Sequence, residues 1–218
     1  PLKIKLGQAS INSKKIKKND IFFAIKGKRR NGNLYLREVF NKKASLAIVN
    51  KINKSEKKSK QIKVKNTLSF LTKISNQVRE NSLAKIIAIT GSCGKTSLKE
   101  LIGMTLNKLC CVTYSRESFN NKFGVPLSLF NLNPKDDFGV FEVGMDKKGE
   151  IDALTKIIKP EVGVITNISY AHAKNFKNLK QIALAKSEIM NNIVSGGSIV
   201  LNADDIFYKF HRKKALKK

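Results

Sequence analysis

Ile86-Ile-Ala-Ile-Thr-Gly-Ser-Cys-Gly-Lys-Thr-Ser97 is a run of apolar residues that breaks into a short glycine loop and then into helix-forming sequence. A strand, a glycine turn and a helix in that order present backbone N–H groups and a helix N-terminus to the phosphates of a nucleotide. Gly91 and Gly94 allow the tight turn, Lys95 offers a mobile ammonium and Thr96 a hydroxyl for Mg²⁺. With Ser92, Cys93 and Ser97 they form the candidate nucleotide-binding set. The loop is shorter than a full Walker A motif, because Ile89 stands where its first glycine would be, which leaves G-x-x-G-K-T. The plainer reading of such a loop is a glycine turn beside a surface lysine.

Working outward, the order of elements from Lys85 onward alternates. Strand patterns cover 86–90, 110–113, 138–143, 162–167 and 197–201, and helix patterns cover 95–108, 149–158 and 179–192. Strands alternating with helices predict a parallel α/β sheet wrapped by helices, with ligands at the carboxyl ends of the strands. Ahead of it, Asp20–Ile25 and Ala44–Val49 read as buried strands, Leu34–Lys42 as a short helix and Lys51–Lys60 as a charged loop. Asn66 is placed to cap a helix running to Glu80, with Leu68, Leu71, Ile74 and Val78 at helical spacing. The fold class is α/β in two domains, 1–82 and 83–218.

The 218 residues carry a net charge of +27, with 43 Lys and Arg against 16 Asp and Glu. The excess is lysine spread along the whole chain, without aromatic residues interleaved for base stacking, so specific nucleic-acid binding is not expected; salt-sensitive sticking to polyanions is. Three cysteines, Cys93, Cys110 and Cys111, form no C-x-x-C pair and fit a reducing compartment. No apolar run reaches the roughly 18 residues of a membrane span, and no secretory leader is visible, so a cytoplasmic protein is expected.

Three further residues stand at positions where chemistry is plausible. Glu142 ends an apolar strand, where a carboxylate is costly unless it meets a cation or a donor; a Mg²⁺ shared with Thr96 and nucleotide phosphates would satisfy it, as would water at a strand end. His172 is one of two histidines, and on its own reads as a surface or core histidine. Lys186, in the alanine-rich run Ile182-Ala-Leu-Ala-Lys-Ser-Glu-Ile189, is by composition one lysine among many.

Five ordered motifs nevertheless resemble those of the ATP-dependent Mur ligases of peptidoglycan synthesis, over nearly the whole chain. They are Thr90-Gly-Ser-Cys-Gly-Lys-Thr96, Asn120-Asn-Lys-Phe-Gly-Val-Pro-Leu127, Glu142-Val-Gly-Met-Asp-Lys-Lys-Gly-Glu-Ile151, Thr166-Asn-Ile-Ser-Tyr-Ala-His172 and Ala185-Lys-Ser-Glu-Ile189. The G-E-I segment and the A-H to A-K-x-E-I interval resemble the members that add a dipeptide. Asn12-Ser-Lys-Lys-Ile-Lys-Lys-Asn-Asp-Ile-Phe-Phe-Ala-Ile-Lys-Gly27 is similar to the same members' UDP-binding domain, although Asn12 and Lys14 replace the usual Asp and Arg, and Asn31-Gly-Asn33 replaces D-G-H. Lys14 keeps the charge but not the planar fork that grips a diphosphate in two places.

The resemblance implies an ADP-forming ligase that joins D-alanyl-D-alanine to UDP-N-acetylmuramoyl-tripeptide through an acyl phosphate. It implies ATP and two Mg²⁺ ions: Lys95 on the phosphates, Thr96 and Glu142 on one ion, and His172 with a carbamylated Lys186 on the other. Ser13, Lys14, Asn33, Asn120, Asn121 and Asn167 would contact the substrate. Family members carry further central strands and a third domain beyond the Leu201–Asp205 segment, so the chain is expected to be a monomeric fragment with little activity alone. Related ligases with another acceptor, such as the diamino-acid-adding or folylpolyglutamate-type enzymes, share the ATP motifs and stay open. So do an inactive remnant and a polyanion-binding protein.

Overall fold

A computed structural model of the protein describes residues 7–27, 30–170 and 175–217. They form two compact units that divide between Ser75 and Asn76.

The first unit is a four-stranded, all-parallel sheet in the order β1 (Ala9–Ser10), β2 (Ile21–Phe23), β3 (Leu46–Val49), β4 (Gln61–Lys63), with helix α1 (Leu36–Asn41) between β2 and β3. Leu36, Val39 and Phe40 fall on one face of α1 at the i, i+3, i+4 spacing and are buried with Phe22, Ala24, Ala47 and Val49. Buried Asp20 ties the connection between β1 and β2, accepting from the amides of Gln8 at 3.0 Å and Lys17 at 2.8 Å. The strand expected over 20–25 ends at Phe23, because the chain turns: the Ile25 amide donates to the Phe23 carbonyl and Gly32 returns to the Ile25 carbonyl. Strand β4 follows the charged loop and had no alternating pattern; the Gln61 side chain holds the loop by bonding the amide and carbonyl of Asn53. Asn66 caps α2 (Thr67–Glu80) as the sequence predicts, accepting from the Ser69 amide at 2.9 Å.

The division of the units lies inside α2, ahead of the boundary expected near residue 82, and Arg79 explains why the helix end belongs to the second unit. Its guanidinium donates to the carbonyls of Ile158 and Lys159 at 2.7 and 2.9 Å and pairs with Glu161 at 2.6 Å.

The second unit is a five-stranded parallel sheet, β5 (Lys85–Thr90), β6 (Val112–Tyr114), β7 (Phe138–Glu142), β8 (Val162–Ile165) and β9 (Ser198–Leu201), in the spatial order β6-β7-β5-β8-β9. Every pairing is parallel, and the chain runs first to one side of β5 and then to the other, which opens a crevice at the carboxyl end of β5. Helices α3 (Lys95–Leu106), α4 (Gly124–Phe130), α5 (Glu150–Ile158), α6 (Leu179–Lys186) and α7 (Tyr208–Ala215) complete it. Alternate residues of β5 serve opposite faces: Ile86 and Ala88 pack in the large core with Val125, Leu129, Ile151, Leu154 and Ile182, while Ile89 joins Val140 and Val164 under α3.

Three features depart from the sequence reading. The helix expected over 179–192 stops at Lys186 and continues as 3-10 turns, Ser187–Asn192. Helix α4 is unanticipated because it is short and buried nearly all round, which leaves no amphipathic stripe to read. The basic tail is helix α7, seated by buried His211, whose Nε2 lies 3.1 Å from the Ala183 carbonyl and whose burial holds its pKa below the ordinary value.

Candidate active site

The glycine loop leaves β5 at Thr90 and enters α3 at Lys95. Gly91 has φ +148°, and a Cβ there would stand 1.8 Å from Thr166 Oγ1; Gly94 has φ +77° and faces open space. The first position therefore needs glycine for close approach and the second for its left-handed backbone. The loop is gripped from the end of β8. Asn167 accepts the Ser92 amide on its carbonyl at 2.9 Å and the Cys93 amide on Oδ1 at 3.1 Å, while Thr166 Oγ1 donates to the Cys93 carbonyl at 2.6 Å. Ser92 Oγ donates to the Ser169 carbonyl and accepts the Ser169 amide. The first-turn amides of α3, beginning with Lys95, Thr96 and Ser97, have no acceptor within the helix, and with the positive end of its dipole they form the anion-binding face.

Lys95 Nζ folds back onto the carbonyls of Gly91 at 2.9 Å and Ser92 at 3.3 Å. Lys186 reaches the same Gly91 carbonyl at 2.8 Å from the end of α6, and it is only 1% exposed. Burial first, and then the neighbouring Lys95 charge, lower its pKa to about 7, which brings the neutral amine within reach of neutral pH. The resemblance implied a metal-facing role for Lys186; the structure places its amine on the glycine loop.

Register brings Glu142 to the same point: it pairs with Ile89, one residue short of the loop. The carboxylate is 1% exposed, so it must be satisfied, and it is: Thr96 Oγ1 donates to Oε2 and Asn120 Nδ2 to Oε1, each at 2.7 Å. Two hard oxygen donors, Thr96 Oγ1 and Glu142 Oε2, thus meet at the helix N-terminus, a donor set suited to Mg²⁺ that also bonds phosphate oxygens. No cluster of three or more His, Cys, Asp or Glu side chains exists among the described residues. His172 lies outside the described residues.

Two motifs turn out to be one structure. Glu188, two residues past Lys186, accepts the Gly149 amide at 2.8 Å and the Asp152 amide at 3.3 Å, so it caps α5. Gly149, at φ +88°, starts that helix. The glutamate ending A-K-S-E thereby fixes the 3-10 turn that follows Lys186.

The other expected contacts divide. Asn120 joins Glu142, as described, whereas Asn121 Oδ1 accepts the amides of Phe123 and Gly124 at the start of α4. In the first unit the named residues follow successive parallel strands: Ser13 and exposed Lys14 come after β1 and Asn33 after β2. The Ser13 carbonyl accepts Lys42 Nζ at 3.0 Å, and Asn33 Nδ2 donates to Asn31 Oδ1 at 2.9 Å and to Asn50 Oδ1 at 2.7 Å. Sequence reasoning missed Thr166 as a loop contact. Only the distance between sequence positions hid Thr166, since it directly precedes Asn167.

Residues 89–218 match the Mur ligase middle domain. Along 205 residues, 94% of this chain and 45% of the relative, the sequence is 39% identical to the UDP-N-acetylmuramoyl-tripeptide–D-alanyl-D-alanine ligase of Rickettsia prowazekii (strain Madrid E). The fold is similar to a crystal structure of MurF from Acinetobacter baumannii, with a TM-score of 0.84 at 33% identity, covering 100% of this chain and 48% of that one. It is also similar to the MurF ligase of Thermotoga maritima in complex with ADP, with a TM-score of 0.80 at 26% identity, covering 100% and 50%. The chain spans about half the length of the curated relatives it matches.

Proposed function

Because the chain belongs to the Mur ligase family, we propose that it supplies the UDP-substrate-binding region, 1–82, and the ATP-binding region, 83–218, of a cytoplasmic, monomeric ligase that joins D-alanyl-D-alanine to UDP-N-acetylmuramoyl-tripeptide. The observation that carries this reading is the meeting of Thr96 and Glu142 beneath a glycine loop at the carboxyl end of β5.

The γ-phosphoryl group of ATP passes to an oxygen of the tripeptide's terminal carboxylate, giving ADP and an acyl phosphate. The dipeptide amine then attacks the acyl carbon, loses a proton, and inorganic phosphate leaves. Little covalent work falls to the protein, so positioning and charge neutralisation carry the acceleration. Lys95 turns from the Gly91 and Ser92 carbonyls to the β- and γ-phosphates, and the first-turn amides of α3, with loop residues Gly91 to Gly94, cradle them. Asn120 and Asn121 orient the peptide end, Asn167 lines the site, and Ser13, Lys14 and Asn33 meet the uridine diphosphate.

Thr96 and Glu142 would hold one Mg²⁺, and His172 with Lys186 a second; such ions would supply positive charge against that developing on the phosphoryl oxygens. Lys186 serves as a carbamate. Its neutral amine adds to carbon dioxide and releases one proton, which leaves a carbamate anion able to face a metal. The lowered pKa supports this, because only the unprotonated amine reacts.

The test is ATP-dependent phosphate release by the chain joined to whatever its reading frame encodes downstream, with UDP-N-acetylmuramoyl-tripeptide and with or without D-alanyl-D-alanine. Release that requires the dipeptide is expected. A folded protein that releases none, or that needs a different amine, overturns the assignment.

A further inference from the structure

Lys99 lies one helical turn beyond Lys95 in α3, and its side chain is 0% exposed. A buried ammonium is costly unless each partner earns its place by geometry. Lys99 Nζ pairs with Glu100 Oε1 at 2.9 Å and donates to the backbone carbonyl of Glu117 at 2.6 Å. Glu100 is 39% exposed and could meet a lysine at the surface, so the interior partner that draws Lys99 inward is the Glu117 carbonyl.

That carbonyl belongs to the segment 115–121, which crosses the end of β7. One end is stitched to the strand by the Ser115 amide on the Val140 carbonyl at 3.0 Å. The other is stitched by the Gly144 amide on the Asn120 carbonyl at 2.7 Å. Between them Glu117 takes φ +50°, a conformation that a side-chain-bearing residue keeps only where its surroundings impose it. Asn120, at the end of the segment, places its amide on Glu142 Oε1.

We propose that Lys99 is a positioning residue: from inside α3 it fixes the segment 115–121 so that Asn120 holds the Glu142 carboxylate in the orientation that serves Mg²⁺ bound with ATP. The proposal rests on the reading that Glu142 and Thr96 take the metal. Lys99 bonds the Glu100 carboxylate and the Glu117 carbonyl, and acts through Asn120. Groups that orient a metal-binding carboxylate in this way are worth about 10- to 100-fold in metal affinity.

The experiment titrates ATP into the 218-residue chain in Mg²⁺ and again in EDTA, and takes the ratio of affinities as the metal-dependent gain. Lys99→Met is expected to cut that gain about tenfold while the metal-free affinity stays within about twofold. Lys99→Arg, which keeps the donor, restores it. In an Asn120→Ala background, Lys99→Met has no further effect, because both changes act on one contact. If Lys99→Met does not fold, Lys99→Gln takes its place with the same loss expected, since the shorter neutral amide falls short of the Glu117 carbonyl. A folded Lys99 variant that loses stability but keeps the full gain overturns the proposal and leaves the site reading standing. So does a loss that adds fully to that of Asn120→Ala. A parent chain with no metal-dependent gain overturns both.

Discussion

The two units share a plan and differ in how firmly they carry it out. Each is an all-parallel sheet with its candidate polar residues just past the carboxyl ends of the strands. In the second unit those residues are locked to one another: Glu142 between Thr96 and Asn120, the glycine loop by Thr166 and Asn167, and Lys186 on the Gly91 carbonyl. In the first unit the strands are short, Lys14 is exposed, and Asn33 is held by two other asparagines. The site proposed to neutralise a triphosphate is built from buried groups with fixed partners. At the corresponding positions of the first unit stand an exposed lysine and an asparagine bonded only to neutral side chains, with no buried charge among them.

The largest expected effect tests the locked side. Lys186 has its pKa lowered from 10.5 to about 7, so below pH 7 both the folded and the unfolded chain carry its proton and the full penalty of burial applies. Between pH 7 and 10.5 the unfolded chain binds more protons, so this group makes stability rise with pH, by up to about 1.4 kcal/mol per unit. In buffer free of carbon dioxide, Lys186→Met is therefore expected to be more stable than the parent at pH 7, with an advantage that shrinks towards pH 10. Melting curves across that range check it, and a pH-independent difference would break the picture of a cation confined in the interior.

Next in size is Gly91→Ala. The added Cβ collides with Thr166 and the residue must keep φ +148°, so about 2–3 kcal/mol of stability is expected to go, together with ATP binding. Denaturant unfolding and an ATP titration read the two losses. An alanine tolerated there would mean that the loop is not clamped.

The smallest effect sharpens the other side of the comparison. Lys14→Arg restores a planar fork for a diphosphate, and UDP affinity is expected to rise about threefold, measured by calorimetry. No change would mean that the residue lies away from the diphosphate.

What could be read from the sequence follows the same contrast. The glycine loop, the strand feeding it and Glu142 at the end of β7 were legible because each is a local pattern: apolar residues, then glycine, then a polar terminus. Asn120 and Lys186 were singled out only through family motifs, and their contacts were not legible, since nothing in an alanine-rich run distinguishes one lysine from 42 other basic residues until burial is known. Helix α4 hid behind its lack of a polar face, and β4 behind a loop of lysines. The early end of α6 depends on Glu188 reaching the α5 terminus 39 residues away in sequence, a contact that no window along the chain contains. Lys99 was passed over for the same reason: its partner is a backbone carbonyl, and backbone carries no signature in composition.

Arg79 decides where the second unit can be cut free of the rest. The family match begins at residue 89, and a segment started there would strand the carbonyls of Ile158 and Lys159 and leave the Glu161 carboxylate without its cation. The last turns of α2 are thus the foot of the sheet as well as a connector. An excised version that is to stand on its own should start no later than Asn76, keeping about a dozen residues that resemblance alone would discard.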